Sequence, residues 1–191
     1  MTIFYKITFL DFWHLSSGLS GGVRLDSGVI KDSEGFPFVP AKTFKGVLRE
    51  VASGFCSKDF VNECFGEAIQ KDRVPKAGAC HFSNANLSEA TKDEIKNPKI
   101  PNHKTGNLAQ FLYTKIASTA IDEILGSAKD GSLREIEVVK PLSLYGEIHN
   151  IPERHIDSMK LALKSLKSMG LNRNRGLGRL KIDIERATHD K

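Results

Sequence analysis

Seven periodic segments, read in order along the chain, admit few folds. Thr2 to Asp11 sets Ile3, Tyr5, Ile7 and Phe9 on one alternating face, the period of a strand. In EGFPFVPAKTFKGVLREVASGF, Phe44, Val47, Leu48 and Val51 recur at i, i+3, i+4 and i+7. Pro40 near the start and Gly54 just past the end bound a helix predicted from about Ala41 to Ser53. Ala79 to Leu87, Ile136 to Lys140 and Leu142 to Ile151 read as strands, the last with Leu142, Leu144, Gly146 and Ile148 on one face. IPERHIDSMKLALKSLKSMGL carries a helical stripe of Ile156, Met159, Leu163 and Leu166, opened by Pro152 and closed by Gly170. Its Lys160, Lys164 and Lys167 read as a solvated face. Leu180, Ile182 and Ile184 alternate as a final strand. Without inserts the order is strand, helix, strand, strand, helix, strand, the ferredoxin-like or RRM-like split βαβ of an α+β fold. Such a four-stranded sheet is a common RNA-binding platform, and it also serves many proteins that never meet RNA.

The remaining segments are connections. Trp13 to Gly28 is a Ser/Gly-rich loop and Val29 to Lys31 a short strand. Residues 55 to 78 read as an irregular polar insert, and SEATKDEIKNPKIPNHKTGN, with two prolines and many charges, as a mobile loop or extended arm. Leu112 to Thr119 forms one side of a hairpin. A length of 191 residues suits one domain over 1–191 with inserts at 54–78 and 88–141. Long connections of the second kind are usually functional or disordered.

Composition narrows the function classes. The net charge of +5 and a pI near 9.1 favour a polyanionic partner. Three cysteines cannot all pair within the chain, which points to a reducing, intracellular setting or a metal site. No segment approaches a membrane span, and MTIFYKITFLDFW is broken by Lys6 and Asp11, so a cytoplasmic protein without a membrane partner is expected.

Two basic elements stand at informative places. PAKTFKGVLRE puts Lys42, Thr43 and Lys45 at a helix N-terminus, where free N–H groups attract phosphate, with Arg49 a turn further on. GLNRNRGLGRLK brings Arg173, Asn174, Arg175, Gly176, Arg179 and Lys181 together with no acid between them. Arginine's planar fork suits phosphate oxygens, and glycine lets a backbone approach a ligand closely. A solvated turn is the plain alternative.

SSGLSGGVRLDSGVIKDSEGFPFVPAKTFKGVLRE resembles the N-terminal signature of the RAMP proteins of CRISPR systems, most closely the backbone subunit of type III effector complexes. Matching positions are Asp26, Val29, Ile30, Lys31, Asp32, Gly35, Pro37, Pro40, Lys45, Gly46 and Arg49; Ala41 and Lys42 depart, where Gly and Ser are usual. CFGEA resembles the family's Phe-Gly turn, KAGACHFSNANL its following strand with Asn84 in place of Asp, and GLNRNRGLGRLKI its C-terminal Gly-rich loop.

The resemblance implies a palm that holds the sugar-phosphate of a CRISPR guide RNA, with residues 88–141 as a hairpin thumb. It implies partners: guide RNA, target RNA, copies of itself in a filament, and other effector subunits. Asp26 corresponds to the family carboxylate that supports Mg²⁺-dependent cleavage of target RNA, and a loop Asp capping a turn is the alternative. His14 stands where the family often has a histidine; a general-base role and a structural role are both open. Relatives with a zinc-binding insert put Cys56 and Cys64, with Cys80 or His81 and His103 as a further ligand, forward as Zn²⁺ ligands against free buried thiols. Two rivals remain, a repeat-processing endoribonuclease and a ferredoxin-like interaction module with solvated basic loops.

Overall fold

The computed structural model describes residues 1–18, 27–67, 74–98, 108–122 and 124–189. Its centre is a four-stranded antiparallel sheet formed by β1 (Thr2–Phe9), β2 (His81–Phe82), β5 (Ser143–His149) and β6 (Leu180–Thr188), in the order β2-β5-β1-β6. Alternation in β1 sends Ile3, Tyr5, Ile7 and Phe9 to the buried face, where they meet Leu144 and Ile148 of β5 and Leu180 and Ile182 of β6. The helices α1 (Ala41–Ser53) and α4 (Ile156–Ser165) cover that face with Phe44, Leu48, Ala52, Met159, Ala162 and Leu163. Phe44 stacks on Tyr5 at 4.9 Å between ring centroids. Room for the Tyr5 ring comes from Gly146, its cross-strand neighbour, where a Cβ would lie 2.4 Å from the phenol oxygen.

A separate two-stranded ribbon, β3 (Tyr113–Ser118) with β4 (Arg134–Val139), forms the hairpin. Ile121, Ile124 and Leu125 near its tip are largely exposed. Among the described residues no helix is long and apolar enough to cross a membrane.

Five expectations are corrected. The polar insert at 55–78 contains α2 (Lys58–Phe65), capped by Ser57, whose hydroxyl accepts from Phe60 N–H at 3.2 Å. Phe60, Val61, Cys64 and Phe65 bury one face of it, so tertiary packing offsets the polar content. The loop beginning at residue 88 contains α3 (Glu89–Lys96), capped by Ser88 and fastened by Lys92–Asp32 at 4.0 Å and by a Lys96–Glu34 pair. The strand expected at Ala79–Leu87 is paired only at His81 and Phe82; isolated bridges follow, Ala85 to Val39 and Asn86 to Tyr145. Val29 to Lys31 likewise makes isolated bridges, to Ser16 and Pro37. The helix α4 ends at Ser165, not Gly170: Leu166 turns extended with ψ 114°, which lets Ser168 bridge Arg179.

Candidate nucleic-acid interface

The arginine turn is built on a glycine clasp. Met169 N–H donates to Gly178 O at 2.9 Å, Gly178 N–H to Phe12 O at 2.8 Å, and Leu171 N–H to His14 O at 2.9 Å. Gly170 and Gly178 have φ of +101° and +74°, and a Cβ on them would sit 2.3 Å from His14 O and 2.0 Å from Met169 O. Only glycine meets both demands at once. Above the clasp, Asn172 (φ 58°) and Gly176 (φ 85°) bracket a 3-10 turn over Arg173–Arg175. Arg173, Asn174, Arg175 and Gly176 are exposed, and among the described residues neither Arg173 nor Arg175 has an ion-pair partner. Arg179 differs: it forks onto Asp11, Nε to Oδ2 at 2.5 Å and Nη2 to Oδ1 at 3.1 Å. The Asp11 carboxyl is held below its ordinary range by that hydrogen bond. Arg179 thus braces the turn, and its charge is already matched.

The second basic element lies elsewhere. Lys42 and Thr43 are exposed on the first turn of α1; Lys45 and Arg49 are half-buried, with Lys45 Nζ 5.7 Å from the Phe82 ring centroid. Pro40 provides no side-chain cap, and Asn84 Oδ1 accepts from Ala41 N–H at 2.8 Å instead. Asn84 and the Val39–Ala85 bridge hold this end of α1 beside β2, whereas the arginine turn leads into β6. These are opposite edges of the sheet, three strand spacings or about 14 Å apart. One extended chain would meet the two elements at different nucleotides.

A cluster around the buried His14 ties the hairpin to the segment after Asp26. Asp26 itself lies outside the described residues. His14 is fully buried, its Nδ1–H donates to Glu137 O at 2.6 Å, and its Nε2 accepts from the Ser27 hydroxyl at 3.0 Å. Both ring nitrogens are spent on the fold, so His14 acts as a strut. Glu137 Oε2 accepts from Val29 N–H at 3.0 Å and Oε1 pairs with Lys31 at 2.8 Å. Lys31 Nζ lies 3.9 Å from the Tyr113 ring centroid, and the Tyr113 hydroxyl donates to Gly35 O at 2.6 Å. Asp32 Oδ1 caps locally, accepting from Glu34 and Phe36 N–H, each at 2.9 Å. Sequence reading did not single out Glu137; the signal was a lone acid in the β-branched run IEVV.

The thiols converge in part. Cys64 and Cys80 are buried side by side, Cys80 Sγ donates to Asn150 O at 3.9 Å, and the neighbouring Cys80 thiol together with burial pushes the Cys64 thiol up. Cys56 is half-buried and His81 exposed. Among the described residues, no third ligating group joins Cys64 and Cys80; the one convergent trio is Asp59, Glu63 and His155. His103 lies outside the described residues.

Comparison with known proteins bears on this arrangement. The family model of the RAMP superfamily matches residues 6–181. No curated protein sequence matches the chain. A chain of type III-B Cmr-beta bound to cognate target RNA, solved by cryo-EM, superposes with a TM-score of 0.74 at 14% identity, covering 96% of this chain and 97% of that one. A chain of type III-B Cmr-beta in the apo state gives 0.75 at 14% identity, covering 97% and 98%. At this identity the likeness is one of fold.

Proposed function

The chain belongs to the RAMP superfamily, and on that premise we propose that it is a guide-RNA-binding backbone subunit of a type III-like CRISPR effector complex. In this reading the four-stranded sheet with α1 and α4 on one face is the ferredoxin-like palm; its strand order β2-β5-β1-β6 supports the assignment. The β3–β4 ribbon is the thumb, whose exposed Ile121, Ile124 and Leu125 suit an apolar wedge against bases. Target RNA, further copies of the chain and other effector subunits are its proposed partners.

The observation that carries the reading is the clasped turn. Two arginines without acid partners among the described residues are held on a backbone fixed by glycines, with no aromatic side chain on the turn to read a base. A guide whose sequence varies must be held by phosphate and ribose, because base contacts would restrict it. Arg175→Ala is expected to lower affinity similarly for guides of different sequence and to reduce the salt slope by about one. Loss confined to some sequences would refute phosphate recognition. A ferredoxin-like interaction module predicts no salt-dependent RNA binding by the wild type.

Cleavage of target RNA is a separate part of the proposal. It rests on the likeness of LDSGVIKD to the family motif, with Asp26 as the carboxylate that would hold Mg²⁺. In the assembled complex, Asp26→Ala is expected to abolish Mg²⁺-dependent cutting while guide binding persists. Undiminished cutting by that variant would remove Asp26 from the chemistry, and cutting of a bare repeat hairpin without metal would favour the processing endoribonuclease.

A further inference from the structure

We propose that the cleft between the outer end of the hairpin strands and the arginine turn seats a single RNA phosphodiester, gripped by Arg134 and Arg175 together. This deepens the RNA-binding reading and rests on it. The cleft has a volume of about 380 Å³ and is lined by Ser118, Thr119 and Ala120 at the end of β3, Ser132 and Arg134 at the start of β4, and Arg175. Arg134 comes from a segment that carries none of the family motifs.

Three features identify the ligand. The first is charge. Neither Arg134 nor Arg175 has an ion-pair partner among the described residues, although acids stand nearby in sequence. The neighbouring Glu135 is instead paired with Lys115 at 3.1 Å. Two guanidinium groups facing one cleft repel each other, and an oxyanion between them reverses the sign of that interaction. The second is the hydroxyl lining. Thr119 Oγ1 and Ser132 Oγ are 2.6 Å apart, and Ser132 Oγ accepts from Ala120 N–H at 3.0 Å. Ser132 Oγ–H donates to Lys129 O at 2.6 Å, so the protons of this pair are spent and Thr119 Oγ1 keeps a lone pair that can accept from a ribose hydroxyl. The third is what the lining lacks: none of its residues is acidic, so nothing there repels an oxyanion, and none is aromatic, so no ring stacks on a base. A phosphodiester fits this lining.

The seat has a mechanical consequence. Arg134 belongs to the hairpin and Arg175 to the palm, so one shared phosphate fixes the hairpin against the palm when RNA is bound.

Fluorescence anisotropy of a labelled oligouridine, titrated across a range of salt, tests this with wild type, Arg134→Ala, Arg175→Ala and the double variant. Both side chains are exposed, and equal urea midpoints would confirm that all four proteins fold alike. Each single substitution is expected to weaken binding about tenfold. Because both arginines neutralise one phosphate, the double variant should bind little worse than the weaker single, with a salt slope reduced by about one rather than two. Full additivity, about a hundredfold with a slope loss near two, would assign the arginines to separate phosphates and overturn the shared seat. An Arg134→Ala protein that binds like wild type while Arg175→Ala does not would overturn it as well. If the wild type binds no oligouridine at low salt, the RNA-binding reading itself falls and the seat falls with it.

Discussion

Gly176 and Gly178 stand two residues apart, both with positive φ, and they should respond very differently to a methyl group. At Gly176 (φ +85°) a Cβ meets nothing within 4 Å, so Gly176→Ala costs only the left-handed penalty of about 1–2 kcal/mol. At Gly178 (φ +74°) the same Cβ would lie 2.0 Å from Met169 O and 3.1 Å from Met169 C, both backbone atoms that no rotamer change can move. The clasp must open, and two hydrogen bonds go with it, Met169 N–H to Gly178 O and Gly178 N–H to Phe12 O. At about 1 kcal/mol net for each bond, added to the same left-handed penalty, Gly178→Ala should cost about 3–4 kcal/mol. Urea unfolding measures both variants; in thermal melts, at about 2–4 °C per kcal/mol for a chain of this size, Gly178→Ala should fall roughly 10 °C and Gly176→Ala roughly 4 °C. Gly176→Asn should lose less than Gly176→Ala, because asparagine visits the left-handed region readily. Equal losses at 176 and 178 would refute the clasp, since they would mean that the close approach to Met169 has no energetic weight.

Three further outcomes follow from buried and paired groups. Glu63 accepts from Arg154 Nη2 at 2.5 Å and from His155 Nε2 at 2.7 Å, and these hydrogen bonds, that from Arg154 first, hold its carboxyl below the ordinary 4.5. Its contribution to stability is therefore complete above that value and lost as the pH falls below it; Glu63→Gln should flatten this part of a urea-midpoint profile, and an unchanged acid limb would exclude the linkage. Gly146→Ala should cost about 1–3 kcal/mol by driving a Cβ to 2.4 Å from the Tyr5 phenol oxygen. Tyr5→Phe alone should be neutral or stabilising, because that buried hydroxyl has no partner among the described residues; a large loss on denaturant titration would reveal a bond that this geometry lacks.

Local periodicity carried the frame of the fold, and it failed where tertiary contacts decide. The stripe Phe44, Val47, Leu48, Val51 sufficed for α1 because the boundary residues Pro40 and Gly54 agree with its apolar face. The helix α2 was hidden by its polar face: Lys58, Asp59, Asn62 and Glu63 outnumber what a short window weighs, although Ser57 marks its start. The helix α3 buries none of its residues, so no apolar stripe existed to read, and the ion pairs that fasten it reach back to Asp32 and Glu34. The same division holds at the candidate interface. The chemistry of GLNRNRGLGRL was legible in the residue types, but the neutralisation of Arg179 comes from Asp11, 168 positions away in the chain. The contacts of Glu137 and the proposed part of Arg134 depend on how the hairpin folds back against the rest of the chain, which no local pattern encodes.

Asn84 links the helix end to the charge that the interface needs. Its amide oxygen takes the Ala41 N–H that Pro40 leaves uncapped, so α1 keeps its first turn without an acid there. A carboxylate at this place, the residue usual in the resembling family strand, would cap the same N–H and gain about 0.3–1 kcal/mol from the helix dipole at the exposed surface. It would also cancel the positive end that Lys42 and the helix together present to a phosphate. The neutral amide retains the hydrogen bond and leaves that charge in place. With Lys42 where the resembling family has a serine, this end of α1 would, in the proposed reading, meet an anion through net charge. The arginine turn across the sheet would act instead through the directed forks of Arg173 and Arg175, so added salt is expected to weaken an α1 contact at least as much as one made at the turn, read from the salt dependence of Lys42→Ala and Arg173→Ala binding.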